Sequence, residues 1–382
     1  MISFQLTPEQ QALKEMVAKY VQGEVLPVAA KYDESSEFPH EVIHKAWEIG
    51  IMNIAVPQKF GGLGLGVLDD VIINEELGAG CLGIGTSIAV NTLGLYPILL
   101  FGTDEQIQRL VGPFLEKPLL ASFCLTEPGA GSDAASLTTT AKDMGDHYLL
   151  NGSKMWITNA GHASLYSVFC TTDKALKGKG ICCLAVDAKS PGITLGRHEN
   201  KLGQRASDTR AITFENVKVP KENLIGKVGE GFKVALKTLD RTRASIAASA
   251  VGAARAALQH SIRYSKERKQ FNQPISQFQA IQFMLADMAT KVEAGRALCY
   301  RAGSLIDEGF DEDGNLASAH AKRFSADMAM EVATDAVQIF GGYGYTKDYP
   351  VEKIMRDVKL VQIYEGTSQI QRVVIARNIL KD

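Results

Sequence analysis

The sequence has no Cys-x-x-Cys pair and no Cys/His cluster at zinc spacing, so neither a dithiol redox motif nor a structural zinc site is expected. Its six cysteines stand at 81, 124, 170, 182, 183 and 299. Only Cys182 and Cys183 are close, and neighbours along a strand point to opposite faces; buried free thiols in a reducing compartment follow. An excess of one charge is also missing. Lys+Arg number 41 against 43 Asp+Glu, for a formal charge of -2, which argues against nucleic acid as a main partner. No long acidic or basic run occurs, so no charged tail is expected. No run of 18 apolar residues occurs, so no membrane span is expected. The opening MISFQLTPEQQ lacks the charged start and apolar core of a signal peptide and the arginines of a transit peptide. The expected location is the cytoplasm.

What is present reads as three stretches. A chain of 382 residues carries a prior of two to three domains at about 150 residues each. Residues 1–120 read as helical. Thr7-Pro8-Glu9-Gln10 is a capping box with proline at the first helical position. Leu13, Met16, Val17, Tyr20 and Val21 then share one face. Val42, Ile43, Ala46, Trp47 and Ile49 repeat the pattern up to a C-cap at Gly50, and Thr103-Asp104-Glu105-Gln106 caps a further helix. Residues 121–225 read as short strands rich in β-branched and aromatic residues. Gly145-Asp146 and Asn151-Gly152 mark turns, the latter a strong hairpin signal; closely spaced strands of this kind predict a barrel or sandwich. Residues 226–382 read as helical again over 244–258, 283–306 and 318–340, with Gly252 permitting close approach of a neighbouring helix. Ser368-Gln369-Ile370-Gln371 reads as the capping box of a last helix.

Four constellations could carry chemistry. Thr126-Glu127-Pro128-Gly129-Ala130-Gly131-Ser132-Asp133 is a glycine loop after a strand, where backbone can approach a ligand and free N–H groups can hold an anion. Gly129, Gly131 and Ala134 also meet the relaxed dinucleotide pattern G-x-G-x-x-A. That fingerprint requires a helix next, within a βαβ unit, whereas the following residues look extended, so a nicotinamide site is disfavoured. In Met155-Trp156-Ile157-Thr158, the indole could stack on a flat ring or simply fill a barrel core. In Tyr364-Glu365-Gly366-Thr367, Glu365 is either a solvated acid favouring a helix dipole or a general base tuned by burial. Arg241, Arg243 and Arg268 offer forks suited to phosphates, or are plain helix-end charges.

Taken together and in order, Glu127–Asp133, Met155–Asn159, Leu202-Gly203-Gln204-Arg205-Ala206-Ser207-Asp208-Thr209, Gln338-Ile339-Phe340-Gly341-Gly342 and Tyr364-Glu365-Gly366-Thr367 resemble the acyl-CoA dehydrogenase family over essentially the whole chain. The resemblance implies an α+β multidomain fold: an N-terminal α-helical domain over 1–120, a middle β-barrel over 121–225 and a C-terminal four-helix bundle over 226–382. It implies FAD bound without a Rossmann fold, against Phe123, Leu125, Thr126, Gly131, Ser132, Trp156, Ile157 and Thr158. Arg268, Phe271, Gln279, Gln338, Ile339, Gly341 and Gly342 match flavin positions that reach across a subunit interface, and Thr367 and Gln369 a further flavin stretch. Ser132, Asp240, Arg243 and Gly366 match acyl-CoA contacts. Glu365 matches the catalytic base of straight-chain members; some branched-chain relatives place it on the helix of Thr242, which is neutral here. No metal is implied.

The implied reaction is α,β-dehydrogenation of an acyl-CoA thioester. Glu365 takes the α-proton, the β-hydrogen leaves as hydride to the flavin, and electrons pass to electron-transferring flavoprotein, with Trp156 near the flavin edge that meets it. The weak α-acidity demands donors on the carbonyl oxygen; in the family these are the glutamate's own N–H and a flavin hydroxyl. The segment around 87–95 is implied to lie near the acyl tail. No Arg or Lys occurs from Val71 to Gln108, so the cation that a dicarboxylyl-CoA relative uses is missing and an uncharged short- to medium-chain acyl group is expected. A branched or alicyclic acid is the alternative. An acyl-CoA oxidase is disfavoured by chain length, and a non-enzymatic member by the intact Tyr364-Glu365-Gly366. A homotetramer is implied by the family.

Overall fold

A computed structural model describes residues 5–381; the first four residues of the stretch weighed as a leader lie outside it. Helices come first: α1 (Pro8–Tyr20), α2 (Ala29–Ser35), α3 (His40–Glu48), α4 (Val67–Gly80), α5 (Leu82–Phe101), α6 (Asp104–Leu110) and α7 (Gly112–Glu116). The caps lie where local chemistry puts them. Thr7 Oγ1 accepts from Gln10 N at 3.2 Å and the Gln10 side chain accepts from Thr7 N; Thr103 and Gln106 do the same ahead of α6. Each pair satisfies two otherwise orphaned amides.

Helix α5 departs from expectation. Its 20 residues are long and apolar enough to cross a membrane, yet 78% of the span is buried inside the protein. Thr86, Ser87, Asn91 and Thr92 interrupt the apolar run, and some of them fasten the helix to the strands. Asn91 Oδ1 accepts from Ala121 N at 2.7 Å, and Ser87 O accepts from Asn159 Nδ2 at 2.9 Å. A Cβ at Gly94 would stand 2.8 Å from that of Ala121, so only glycine lets the first strand lie on this helix.

The strands are β1 (Ala121–Cys124), β2 (Thr140–Asp143), β3 (His147–Thr158), β4 (Leu165–Thr171), β5 (Ile181–Asp187), β6 (Ile193–Leu195), β7 (Thr209–Pro220) and β8 (Leu224–Ile225). They pair in the order β6-β7-β3-β2-β4-β5-β8, with β1 parallel to β4. The path does not close by hydrogen bonds, but β5 meets β7 across three intervening strands. The sheet therefore wraps Tyr148, Leu150, Tyr166, Val168, Phe214 and Val217 into one interior, a partly open barrel. Cys182 faces that interior, while Cys183 packs with the helices outside. Cys170 lies opposite Cys182 with sulfurs 3.5 Å apart. All six thiols are free and buried.

One turn reading fails. Asn151-Gly152 is not a hairpin but a bulge within β3, between Leu150 and Gly152 in the pairing with β7. Asn151 Oδ1 accepts from Asn216 N at 2.8 Å, and Gly152 at φ +142° lies against Thr139, where a Cβ would come within 2.6 Å. The hairpin reverses instead at Gly145.

The last stretch holds α8 (Gly231–Glu267), β9 (Lys269–Gln270), β10 (Gln273–Pro274), α9 (Gln279–Asp307), α10 (Asp311–Phe340), α11 (Val351–Lys359) and α12 (Ser368–Ile379). Residues of α8 and α10, alanines foremost, make most of its core. Helix α4 packs into the same bundle against α8. There the Gly252 and Gly78 positions meet Glu75 O and Ser249 O so closely that a Cβ would stand 1.9 and 2.1 Å from them. The cap of α12 is Thr367, not Ser368. Thr367 Oγ1 accepts from Ile370 N at 3.1 Å, while Ser368 Oγ donates to Asp327 Oδ1 at 2.9 Å.

Candidate active site

The last cap sets the geometry at Glu365. Glu365 and Gly366 take φ of +50° and +84°, successive left-handed residues that aim the acid back toward α8. There its Oε2 accepts a 2.9 Å hydrogen bond from Thr242 Oγ1. Burial pushes Glu365 up to about 7 from its ordinary 4.5, against the pull of Thr242, Lys322 and Arg243. Gly366 O accepts from Lys322 Nζ at 2.6 Å and from Gln371 Nε2 at 3.0 Å. Among the described residues the Glu365 N–H donates to no protein acceptor. Further along α8, Ser245 hydrogen-bonds Asp70, and burial pushes that carboxyl up to about 6. Tyr364 O–H meets Gln204 Nε2 at 3.4 Å, and Gln204 Oε1 accepts from Thr86 Oγ1 at 2.8 Å. Two perturbed acids, Asp70 and Glu365, thus stand in one neighbourhood, and Glu365 is the one fixed two residues ahead of the helix cap at Thr367.

Arg243, which also favours the charged form of Glu365, pairs with Asp240 at 3.1 Å, and its Nη1 donates to Asn315 Oδ1 at 2.8 Å. Asp240 and Asn315 line a cleft with Lys233, Lys237, Arg241 and Asp311, and Asp311 pairs with Lys237 at 3.3 Å and Arg241 at 3.9 Å, so the cleft carries mixed charge with three cations against two acids. The stretch expected near an acyl tail has two uses. Thr86 faces the Tyr364 network, whereas Ser87, Asn91 and Leu95 are fully buried in helix–strand packing.

The glycine loop is held by a buried ion pair absent from the sequence reading. Glu127 accepts from Thr138 N, Thr138 Oγ1 and Thr139 N at 2.6, 2.7 and 2.9 Å and pairs with Lys154 Nζ at 2.8 Å. Burial alone would raise Glu127; Lys154 and these bonds outweigh it and hold the carboxyl at about 2. Beyond the anchor, a Cβ at Gly129 or Gly131 would meet nothing within 4 Å, and Ser132 is exposed. Trp156, at a second irregularity in β3, has φ +62° and is 58% exposed, so its ring is available for stacking. Phe123, Leu125, Thr126 and Thr158 are half-buried beside it. Ile157 instead points into the barrel core, leaving only its backbone for a ligand. Open space before a glycine loop, flanked by an available indole, fits a flat flavin ring.

The second expected flavin set lies at another face. Phe271 and Asn272, both at positive φ, turn the β9–β10 hairpin, and Phe271 is 86% exposed. Arg268 stands 5.5 Å over the Tyr343 ring and lines a cleft with Gly341 and Gly342. Cβ atoms at those glycines would also meet nothing within 4 Å. Gln279 and Gln338 are exposed, Ile339 is buried. No residue of the 123–158 set lines that cleft. Thr367 and Gln369 sit with Glu365 at the start of α12.

Lys322 was not foreseen, although a signal existed: it shares its helical face with Ser318, Ser325 and Ala329, all without exposure.

Family descriptions match along the chain: "Acyl-CoA dehydrogenase, N-terminal domain" over residues 7–117, the middle domain over 122–217 and the C-terminal domain over 229–380. A probable acyl-CoA dehydrogenase of Mycobacterium tuberculosis is 44% identical over 378 residues, 99% of this chain and 97% of that one. Butyryl-CoA dehydrogenase of Megasphaera elsdenii superposes with a TM-score of 0.97 at 40% identity, covering 100% of both chains. A chain from the structure described as "Electron transferring flavoprotein of Acidaminococcus fermentans: Towards a mechanism of flavin-based electron bifurcation" does so at 0.97 and 46%, again over 100% of both.

Proposed function

The chain belongs to the acyl-CoA dehydrogenase family of FAD-dependent oxidoreductases, and from that premise we propose that Glu365 is the base that removes the α-proton of an uncharged short- to medium-chain acyl-CoA. The observation that carries the reading is the acid itself. Its pKa of about 7 matches a base poised near neutrality, and Thr242 fixes the oxygen that would otherwise rotate. FAD, when bound, supplies the hydride acceptor for the β-carbon. The free Glu365 N–H is available to the thioester oxygen on which charge develops. Arg243 and Asp240 orient the CoA portion, and Lys233 of the adjoining cleft, with Lys237 and Arg241 once drawn from Asp311, suits its phosphates. Ser132 and Gly366 complete the thioester's surroundings. Phe123–Ser132 and Trp156–Thr158 hold the flavin ring by backbone contacts and stacking. Arg268, Phe271, Gln279 and Gln338–Gly342 serve the flavin of a partner subunit in a homotetramer, which accounts for the exposure of Phe271.

The acyl group is read as uncharged because no Arg or Lys occurs from Val71 to Gln108, the part of the sequence that includes the segment expected near the acyl tail. Asp70 near Glu365 would repel a distal carboxylate. The acceptor is an electron-transferring flavoprotein, in line with the Acidaminococcus likeness. Flavin bleaching with an acyl-CoA panel tests the whole reading. Butyryl- or hexanoyl-CoA should bleach the holoenzyme fastest and glutaryl-CoA should lag. Glu365→Gln should cut the rate by about 10²–10⁴-fold. A preference for glutaryl-CoA overturns the substrate class; an undiminished rate in Glu365→Gln overturns the base.

A further inference from the structure

Of the three buried lysines, Lys154 and Lys353 each face a carboxylate, at 2.8 and 2.6 Å. Lys322 does not. Its Nζ, with three donors to place, makes a 2.6 Å bond to Gly366 O and, among the described residues, bonds no carboxylate. A buried ammonium without a direct ion pair is costly, so its place beside a left-handed glutamate calls for a role.

We propose that Lys322 is a positioning residue for the dehydrogenation: it anchors the Glu365–Gly366 turn through the Gly366 carbonyl and supplies the buried positive charge against which Glu365 ionises. The proposal rests on Glu365 being the base. A non-glycine residue at φ +50°, as Glu365 is, persists only when the surroundings hold it, and Lys322 with Gln371 grips the carbonyl between that turn and the helix cap. The charged groups facing Glu365 come from three helices. Lys322 is on α10, Arg243 on α8 and Asp70 on α4, with Tyr364 beside it on the loop. Asp70 opposes ionisation. Arg243 is shared with Asp240. Lys322 is thus the cation not committed to another acid, its nearer charges being Glu365, Arg243 and Asp327. Burial pushes Lys322 down to about 8, with Glu365 pulling it up, so the two groups change charge in neighbouring pH ranges.

Holoenzymes carrying Lys322→Met and Lys322→Arg decide the matter. Lys322→Met should retain flavin while the acid limb of kcat/KM moves up by about one pH unit, a tenfold loss below the limb. Lys322→Arg should keep the limb near wild type. A Lys322→Met profile that superposes on wild type overturns the proposal. If Lys322→Met does not fold, infrared titration of the Glu365 carboxyl in Lys322→Gln reads the same coupling. That titration follows Glu365 whether or not it is the base. A wild-type rate in Glu365→Gln removes the base, whereas a Glu365 titration indifferent to the lysine removes only the lysine's role.

Discussion

Thr242 and Glu365 are joined by a 2.9 Å hydrogen bond from hydroxyl to carboxylate, across 123 positions of sequence. The bond favours the charged acid, so Thr242→Val should raise the Glu365 pKa. The acid limb of kcat/KM should move upward by up to about one unit, with KM little changed. A pH–rate series checks this.

The same acid predicts a stability effect of definite sign. Glu365 is raised from 4.5 in the unfolded chain to about 7 in the fold. Its contribution is fully present below pH 4.5 and is lost as pH rises through about 7. Glu365→Gln cannot ionise. It should therefore melt higher than wild type at pH 8 and match it at pH 4, read by thermal scans of both proteins.

Glu127 behaves oppositely. Held at about 2 against an ordinary 4.5, it stabilises the fold above pH 4.5 and loses that contribution as pH falls toward 2. Glu127→Gln strands the fully buried Lys154, which should cost about 3–5 kcal/mol. Denaturant unfolding checks the loss, and flavin content should fall with it because the glycine loop hangs on this pair.

Phe271 presents an exposed ring on a strained turn. Phe271→Asp should leave the single chain folded, shift the oligomer toward smaller species and weaken flavin retention. Size-exclusion chromatography with absorbance at the flavin band gives both readings.

Local chemistry was legible in the sequence and distant pairing was not. The boxes at Thr7 and Thr103 depend on residues three positions apart, and both form as the sequence predicts. Periodicity predicts a helix over 244–258, but α8 runs from Gly231 to Glu267: its last turns, 259–267, are mostly polar, while at its start Val234, Ala235 and Thr238 form a buried face too short to stand out from the sequence. Thr367 and Ser368 are both hydroxyl residues; Asp327, 41 positions away from Ser368, takes the serine and leaves the threonine to cap. Asn151-Gly152 carried hairpin chemistry, but pairing with β7 turned it into a bulge. Glu365 was found through its surrounding motif. Its Lys322 neighbour was not, since the contact with Gly366 spans 44 positions.

The six sequestered sulfurs amount to a built-in gauge of local opening. Cys81 stands at the junction of α4 and α5, four thiols sit in the sheet domain, and Cys299 lies in α9. An alkylating reagent reaches each only when its own neighbourhood breathes. Site-resolved labelling over time would therefore rank the three regions by how often they come apart, with no introduced probe.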